Sequence, residues 1–254
     1  MTETLSLRAK IEQSPMGAYQ WMIVVMAAIM NLLDGFDVLA LAFTATAIRG
    51  EFGLTGIELG YLLSAGLFGM TAGSLFLAPL ADKIGRRPLL LMAVSLSAIG
   101  MLGSAFISQY QWLGFWRIIT GLGVGGILVG TNVITSEYSS RKWRSFAISV
   151  YAAGFGIGAV LGGMFAVMLQ GEYGWRSVFL AGAILTGLLL VVLFIWLPES
   201  IDFLTSKQPK NAEVRLNLIA KKIGLAGDWK LPAKVEKVKS KLPISQLFSE
   251  KYLH

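Results

Sequence analysis

Apolar stretches of about 20 residues or more recur along the chain, separated by glycine, proline or charged residues. A helix of about 20 apolar residues crosses the hydrocarbon core of a bilayer. Six stretches qualify: Tyr19–Ile48, Gly56–Leu80, Pro88–Ser108, Trp112–Thr135, Ser145–Gln170 and Trp175–Leu197. They predict an all-α membrane protein with a six-helix bundle over residues 19–197, a short N-terminal segment over 1–18, and a basic linker or tail over 198–254.

Composition supports a membrane class and argues against an enzyme. Hydrophobic residues make up 55% of the chain and charged residues 15%, whereas soluble proteins carry about 25% charged residues. Cysteine is absent, which excludes disulfides and thiolate metal sites. His254 is the one histidine, and no H-E-x-x-H or G-x-S-x-G motif occurs. We therefore expect no catalytic residues, no metal and no cofactor.

Two aspartates, Asp34 and Asp37, interrupt the first apolar stretch. A carboxylate at bilayer depth costs about 2.5–3.5 kcal/mol on insertion scales, so it usually marks a substrate or proton site. Their spacing places both on one side of a helix. The alternative is that they pair with a basic group inside the bundle. Both also argue against a cleavable signal peptide, since such a segment is shorter and uncharged in its middle.

Basic residues near the helix ends concentrate on one side of the predicted bundle. The positive-inside rule then predicts an integral protein of the plasma membrane with both termini on the cytoplasmic side. The tail lacks interleaved aromatic residues, so nucleic acid is not an expected partner. Within it, Ala212 to Gly224 is amphipathic. We favour a solvated linker with one loose helix there over a helix lying on anionic lipid.

The second connection reads Ala78-Pro79-Leu80-Ala81-Asp82-Lys83-Ile84-Gly85-Arg86-Arg87-Pro88. This run resembles the cytoplasmic motif that joins helices two and three in the major facilitator superfamily. A departure is Ala78, where the family prefers glycine. The resemblance implies a gating role, in the switch between inward- and outward-facing states, for Asp82, Gly85, Arg86 and Arg87.

The fourth helix begins its motif at Arg117 and continues with Gly121, Gly123 and Gly126. The glycines match G-x-G-x-x-G, the pattern of a dinucleotide site, but no strand precedes them. We therefore interpret them as small residues that allow close helix packing. The R-x-x-x-G-x-G spacing is similar to the superfamily's fourth-helix motif, whose arginine is linked to proton coupling.

Two further features resemble the same superfamily. Glu137 and Arg144 flank the fourth-to-fifth connection and are expected to form a supporting charge pair. Pro198-Glu199-Ser200 resembles the sequence that ends the sixth helix in that family.

Asp34-Gly35-Phe36-Asp37 resembles the D-G-F-D motif of the aromatic acid:proton symporters within this superfamily. The resemblance implies secondary active transport of a small organic anion with a proton, driven by the proton gradient. Asp34, Asp37 and Arg117 are the expected coupling residues. We further predict that Arg117 faces the cavity and pairs with Asp37 when no substrate is bound.

The superfamily has twelve membrane helices, whereas this chain has six in two inverted triplets. The expected partner is a missing C-terminal half or, less favoured, a second copy of the chain. A cation channel lined by the aspartates stays open as an alternative. We also expect the exposed wall of the bundle to be unusually polar and the span alone to be inactive.

Overall fold

A computed structural model describes residues 7–225 and 227–231 of the chain. These residues form helices joined by short connections. They are α1 (Leu7–Gln13), α2 (Ala18–Phe52), α3 (Gly56–Ile84), α4 (Arg86–Ala105), α5 (Tyr110–Tyr138), α6 (Arg144–Tyr173), α7 (Arg176–Trp196), α8 (Ile201–Lys207) and α9 (Ala212–Ile223). Helices α2 to α7 are long and apolar enough to cross a membrane, which confirms the six predicted spans.

The spanning helices run up and down between two ends of the bundle. We call the end that carries α1, α8 and α9 the proximal end, and the opposite one the distal end. The α3–α4 and α5–α6 connections lie at the proximal end, and the other three connections between spanning helices lie at the distal end. Most spanning helices extend a few residues beyond their apolar runs, because polar end residues continue the helix into the connections.

The bundle is built from two inverted triplets, α2–α4 and α5–α7. The most extensive packing joins α3 to α5 and α2 to α6. The first helix of each triplet therefore packs against the second helix of the other triplet. Corresponding glycines also end corresponding helices. Gly85 follows α3 with φ 104° and ψ 162°, and Gly174 follows α6 with φ 76° and ψ 168°. Both angles lie where only glycine is unstrained, which supports the repeat.

Close helix contacts explain the glycine-rich sequence. A Cβ on Gly121 or Gly125 would meet the backbone of α3, while one on Gly123 would meet the backbone of α4. Gly158 of α6 likewise leaves room for the backbone of α2. The fourth-helix motif is therefore a packing surface, as predicted, since small residues allow close approach between membrane helices. Gly156 differs, because a Cβ there would meet nothing within 4 Å.

Helices α3 and α6 form the most exposed wall of the bundle. In their most apolar windows, 17% and 22% of residues are buried, against 61% for α2 and α5. The prediction of an unusually polar wall is wrong. Its exposed large side chains are apolar, and the hydroxyls of Ser64 and Thr71 donate to carbonyls one turn back in α3. Backbone acceptors satisfy these hydroxyls locally, while the buried charges Asp34, Asp37 and Arg117 belong to α2 and α5 rather than to this wall.

Two apolar clusters fill the interior, and the polar residues of α2 lie where they meet. The proximal cluster reaches Leu33 and the distal cluster starts at Phe36. Helices α1, α8 and α9 add Ile11, Leu204 and Leu216 to the proximal cluster. The helix in the tail is therefore packed against the bundle, and the favoured interpretation of a loose helix is wrong for residues 212–223.

Candidate functional site

A cavity of about 150 Å³ lies between α2, α3 and α5. Its walls are mainly leucine, valine, alanine and glycine, and three polar side chains reach it. These are Asp37 from α2 and Arg117 and Thr120 from α5. A mostly apolar enclosure with a few convergent polar groups is the usual form of a small-molecule site.

Only one of the two carboxylate oxygens of Asp37 accepts a hydrogen bond from the described residues. Its Oδ2 accepts a hydrogen bond from Ser97 Oγ of α4 at 2.6 Å, while Oδ1 is buried and accepts none from the described residues. Only 2% of the residue is exposed. A buried acceptor without a donor costs free energy, so this oxygen is positioned to receive a proton or a ligand donor.

Arg117 is held by α4 and by its own helix. Its Nη2 donates to Ser104 Oγ at 2.8 Å and to Thr120 Oγ1 at 3.0 Å, and its Nε donates to Ser104 Oγ at 3.2 Å. The guanidinium lies 4.8 Å from the ring centroid of Phe179. Among the described residues no acceptor takes a hydrogen bond from Nη1, which is left for an anionic ligand.

The expected ion pair between Arg117 and Asp37 is absent from the described residues, where no contact within 4.0 Å joins them. Helix α4 explains the separation, because its Ser97 binds Asp37 and its Ser104 binds Arg117. Both groups nevertheless line the same cavity, as predicted for Arg117. The two charges therefore share a site without neutralising each other directly.

Asp34 occupies a different place from Asp37. It is buried, and its Oδ2 has no hydrogen-bond partner among the described residues, but it is not part of the cavity lining. Residues three apart on a helix point about 60° away from each other. That angle is enough to direct Asp37 towards the cavity and Asp34 away from it.

The two middle residues of the D-G-F-D sequence fix this arrangement. A Cβ on Gly35 would meet the backbone of Phe155 and Ala159 in α6, so only glycine allows the close contact. Phe36 is buried in the distal cluster and fills the space left by Gly162 of α6. Packing of these two residues sets the rotation of α2 and hence the direction of both aspartates.

Ser97 and Ser104 were missed at the sequence level although both are fully buried. They lie seven residues apart on α4, with Gly100 between them. Residues at this spacing lie on one face of a helix, so a polar stripe in an apolar helix could have revealed them.

Three of the four predicted gating residues, Gly85, Arg86 and Arg87, lie against Glu199, the acid that follows α7. Glu199 Oε1 accepts from the backbone N–H groups of Arg86, Arg87 and Ser200 at 2.8, 3.1 and 2.9 Å. A Cβ on Gly85 would lie 2.6 Å from its Oε2, so glycine is required there. Asp82 pairs with Arg86 at 2.6 Å. Glu199 therefore caps the start of α4, where a carboxylate satisfies free N–H groups.

Glu199 was not among the predicted site residues. Its signal was the sequence Pro198-Glu199-Ser200, which was interpreted only as an ending of the sixth helix. The acid lies more than a hundred residues from the backbone groups that it binds. Only the tertiary fold reveals this contact.

The predicted charge pair between Glu137 and Arg144 is wrong. Glu137 accepts from Ser200 Oγ and from the N–H of Ile201, both at 2.9 Å, and so caps α8. Arg144 instead donates to Glu12 of α1 at 2.6 Å. The two side chains diverge because α8 and α1 each offer a closer partner.

Helix α1 is tied to two other segments of the proximal end. Arg8 pairs with Asp202 of α8, and the carbonyl of Glu12 accepts from the N–H of Arg141 at 3.0 Å. The hydrogen bond from Arg144 lowers the pKa of the Glu12 carboxyl below its ordinary value of 4.5. These contacts connect α1, α8 and the α5–α6 connection.

Comparison with known proteins places this architecture in a family. The profile of the Major Facilitator Superfamily matches residues 27–253. This chain belongs to that superfamily. The match confirms the predicted resemblance and an integral membrane protein, and the relatives are named as transporters rather than enzymes.

Two relatives illustrate the similarity. The gallate transporter of Pseudomonas putida is 34% identical over 95% of this chain and 54% of its own length. The 4-hydroxybenzoate transporter PcaK of Pseudomonas aeruginosa is 35% identical over 84% of this chain and 48% of its own length. The facilitator chain thus spans about half the length of the curated relatives that it matches.

A solved structure supports the fold alone. The proton:xylose symporter XylE, bound to 6-bromo-6-deoxy-D-glucose, superimposes with a TM-score of 0.72 at 23% sequence identity. The match covers 83% of this chain and 50% of XylE. The described helices therefore have the arrangement of one half of a facilitator.

Proposed function

We propose that this chain is the N-terminal six-helix half of a proton-coupled symporter for an aromatic or related organic acid, working by alternating access. The relatives named for gallate and 4-hydroxybenzoate support the substrate class. The observation that carries the proposal is a small apolar cavity containing one buried carboxylate and one buried guanidinium.

The size and lining of the cavity favour a single aromatic ring. Its volume is about 150 Å³, and an apolar cavity of about this volume binds benzene in an engineered protein. Leu41, Leu62 and Val124 supply an apolar surface for the ring. An aromatic acid also needs a cation for its carboxylate, and Arg117 borders the same space.

Arg117 and Asp37 suit the two charges that a symporter must handle. We assign the substrate carboxylate to Arg117, whose Nη1 has no partner among the described residues. We assign the transported proton to Asp37, whose Oδ1 is buried without a donor. Protonation would neutralise the buried carboxylate of Asp37. It would leave Arg117 as the charged group of the cavity, so proton binding would favour binding of the anionic substrate. The proton gradient supplies the energy, without a cofactor.

Asp34 has a secondary role in this proposal. It is a second buried carboxylate on α2, outside the cavity lining. Carboxylates that interact closely titrate as a pair, so Asp34 would modulate the protonation of Asp37 rather than contact substrate.

Transport by alternating access requires a second bundle. Rocking one bundle against another opens the site to each side in turn, and the wall formed by α3 and α6 is exposed in the described residues. We assign this wall to a second six-helix bundle supplied by downstream sequence, with a second copy of the chain as the alternative. The proximal contacts of Asp82, Gly85, Arg86 and Arg87 would then form the gate.

The basic residues of the proximal end set the proposed orientation. Arg8, Arg86 and Arg144 lie at this end, which the positive-inside rule places in the cytoplasm. We therefore assign the chain to a bacterial inner membrane, with both termini cytoplasmic.

Uptake of labelled gallate and 4-hydroxybenzoate into proteoliposomes tests the proposal. The full-length carrier should accumulate one of these acids saturably under an inward proton gradient, and Arg117→Gln should abolish uptake. Arg49→Gln is the matched control, because Arg49 donates to the carbonyl of Leu54 at the distal end.

Other outcomes separate the alternatives. Saturable uptake by the 254-residue chain alone would indicate that a second copy of the chain, and not downstream sequence, supplies the second bundle. Flux that rises linearly with substrate concentration and carries cations would indicate a channel. Wild-type uptake by Arg117→Gln would reject the assigned anion site.

A further inference from the structure

A second cavity lies at the proximal end of the bundle, away from the site of Asp37 and Arg117. Its volume is about 250 Å³, and it lies between the start of α4, the end of α7 and helix α9. Three basic side chains, Arg87, Arg215 and Lys222, border it together with Tyr19 and Trp196. Tyr19, Trp196, Arg215 and Lys222 have no role in the proposed transport function. This cavity is also separate from the one assigned to the transported substrate.

The three cations of this pocket lack acidic partners. Among the described residues, no ion pair within 4.0 Å involves Arg87, Arg215 or Lys222. Arg87 donates one hydrogen bond to the carbonyl of Phe194, and its Nε is buried without a partner. Lys222 lies 5.3 Å from the ring centroid of Tyr19. Glu199 also borders the pocket, but its Oε1 is already occupied by three backbone N–H groups.

An apolar surface leads from the pocket along the membrane-spanning helix. Phe194, Ile195 and Trp196 at the end of α7 are 65%, 64% and 53% exposed. Leu218 of α9, which also borders the pocket, is 56% exposed. Since α7 is long and apolar enough to span a membrane, these side chains lie where acyl chains meet the headgroup layer.

We infer that this pocket binds the phosphate headgroup of an anionic phospholipid, with its acyl chains along the end of α7. A phosphate satisfies several cations at once through charge-assisted hydrogen bonds, and basic pockets between membrane helices suit lipid headgroups. The adjoining apolar surface distinguishes a lipid from a soluble phosphate, which would have no use for it. A bound lipid would hold α9 against the bundle, since Arg215 and Lys222 belong to α9.

Lipid titration of the full 254-residue chain in a neutral detergent, followed by native mass spectrometry, tests the inference. The probes are phosphatidylglycerol and the zwitterionic lipid phosphatidylcholine. The test variant Arg215→Gln/Lys222→Gln removes two exposed pocket charges. The control variant Lys207→Gln/Lys221→Gln removes two exposed charges of the same segment that do not border the pocket.

The test variant should bind phosphatidylglycerol about 10- to 30-fold more weakly, as expected for two lost cations near a membrane surface. The control variant should stay within about twofold of the wild type, and phosphatidylcholine should bind weakly to all three proteins. Thermal unfolding in the same detergent should show that both variants remain folded, because all four side chains are exposed.

Three results would overturn the inference. Equal weakening in both double variants would show general charge attraction rather than a site. Equal binding of both lipids would remove the role of the phosphate charge. Displacement of phosphatidylglycerol by an equal concentration of glycerol 3-phosphate would assign the pocket to a soluble phosphate instead.

Discussion

The buried acids in the middle of the bundle differ from those at its proximal end in how fully they are hydrogen-bonded. Glu199 and Glu137 each accept at least two bonds, most of them from backbone N–H groups at helix starts. Asp34 and Asp37, by contrast, each keep one buried oxygen without a donor among the described residues. All four are at most 6% exposed, so burial alone does not explain the difference.

The comparison separates structural acids from acids available for binding. A carboxylate that accepts from backbone N–H groups at a helix start is fixed, because removing it leaves those N–H groups unsatisfied. A carboxylate with an unpartnered oxygen loses little structure when it is protonated or bound, which suits a cycling site. The proximal acids therefore connect helices, and Asp37 is the acid placed to exchange a partner.

The largest expected effect comes from Asp37→Asn in the full-length carrier. The amide cannot bind and release a proton during the transport cycle. We therefore expect proton-driven accumulation of the substrate to disappear while exchange of substrate across the membrane persists. Thermal stability should not fall, since a buried carboxylate with an unpartnered oxygen is removed.

Uptake and exchange assays in proteoliposomes provide the measurement, with Asp34→Asn as the comparison. That variant should lose less accumulation, because Asp34 lies outside the cavity lining. Wild-type accumulation in Asp37→Asn would remove the distinction between the two classes of acid.

A smaller effect, on stability, is expected for Glu199→Ala. Three backbone N–H groups lose their acceptor, and bonds to a charged group are worth about 1.5–3 kcal/mol each. We expect the free energy of unfolding to fall by about 3 kcal/mol or more, and Glu199→Gln to recover part of it.

Thermal unfolding of the chain in detergent measures this loss. Glu172→Ala is the control, because Glu172 is an exposed acid near the distal end of α6. Equal stability of Glu199→Ala and the control would show that Glu199 is not a structural acid.

The smallest effect concerns the partly exposed pair of Glu12 and Arg144. The hydrogen bond from Arg144 lowers the pKa of Glu12 below 4.5, so the folded state favours the charged form. Its contribution to stability is therefore present above pH 4.5 and lost as the pH falls through the lowered pKa. Glu12→Gln should lower the melting temperature slightly at pH 7, and the difference should vanish in more acidic buffer.

Melting curves at several pH values check this sign. Screening by solvent keeps the effect small, since both side chains are partly exposed. A difference between wild type and Glu12→Gln that grows as the pH falls would contradict the assigned interaction.

Local patterns were enough to predict the spans, the repeat and three of the buried charges. Length and hydropathy specify a membrane helix because the bilayer requires an unbroken apolar segment with all backbone bonds internal. For the same reason Asp34, Asp37 and Arg117 stood out from the sequence alone, since a charge in such a segment is costly wherever the helix packs.

Only the tertiary structure decided which partner each charge has. Arg117 and Asp37 bind two serines of α4 instead of each other, and Arg144 binds Glu12 instead of Glu137. Sequence determines that a group is polar and roughly how deep it lies, because these depend on the segment around it. Its partner depends on helix rotation and close packing, which the contact of Gly35 with α6 sets across more than a hundred residues of chain.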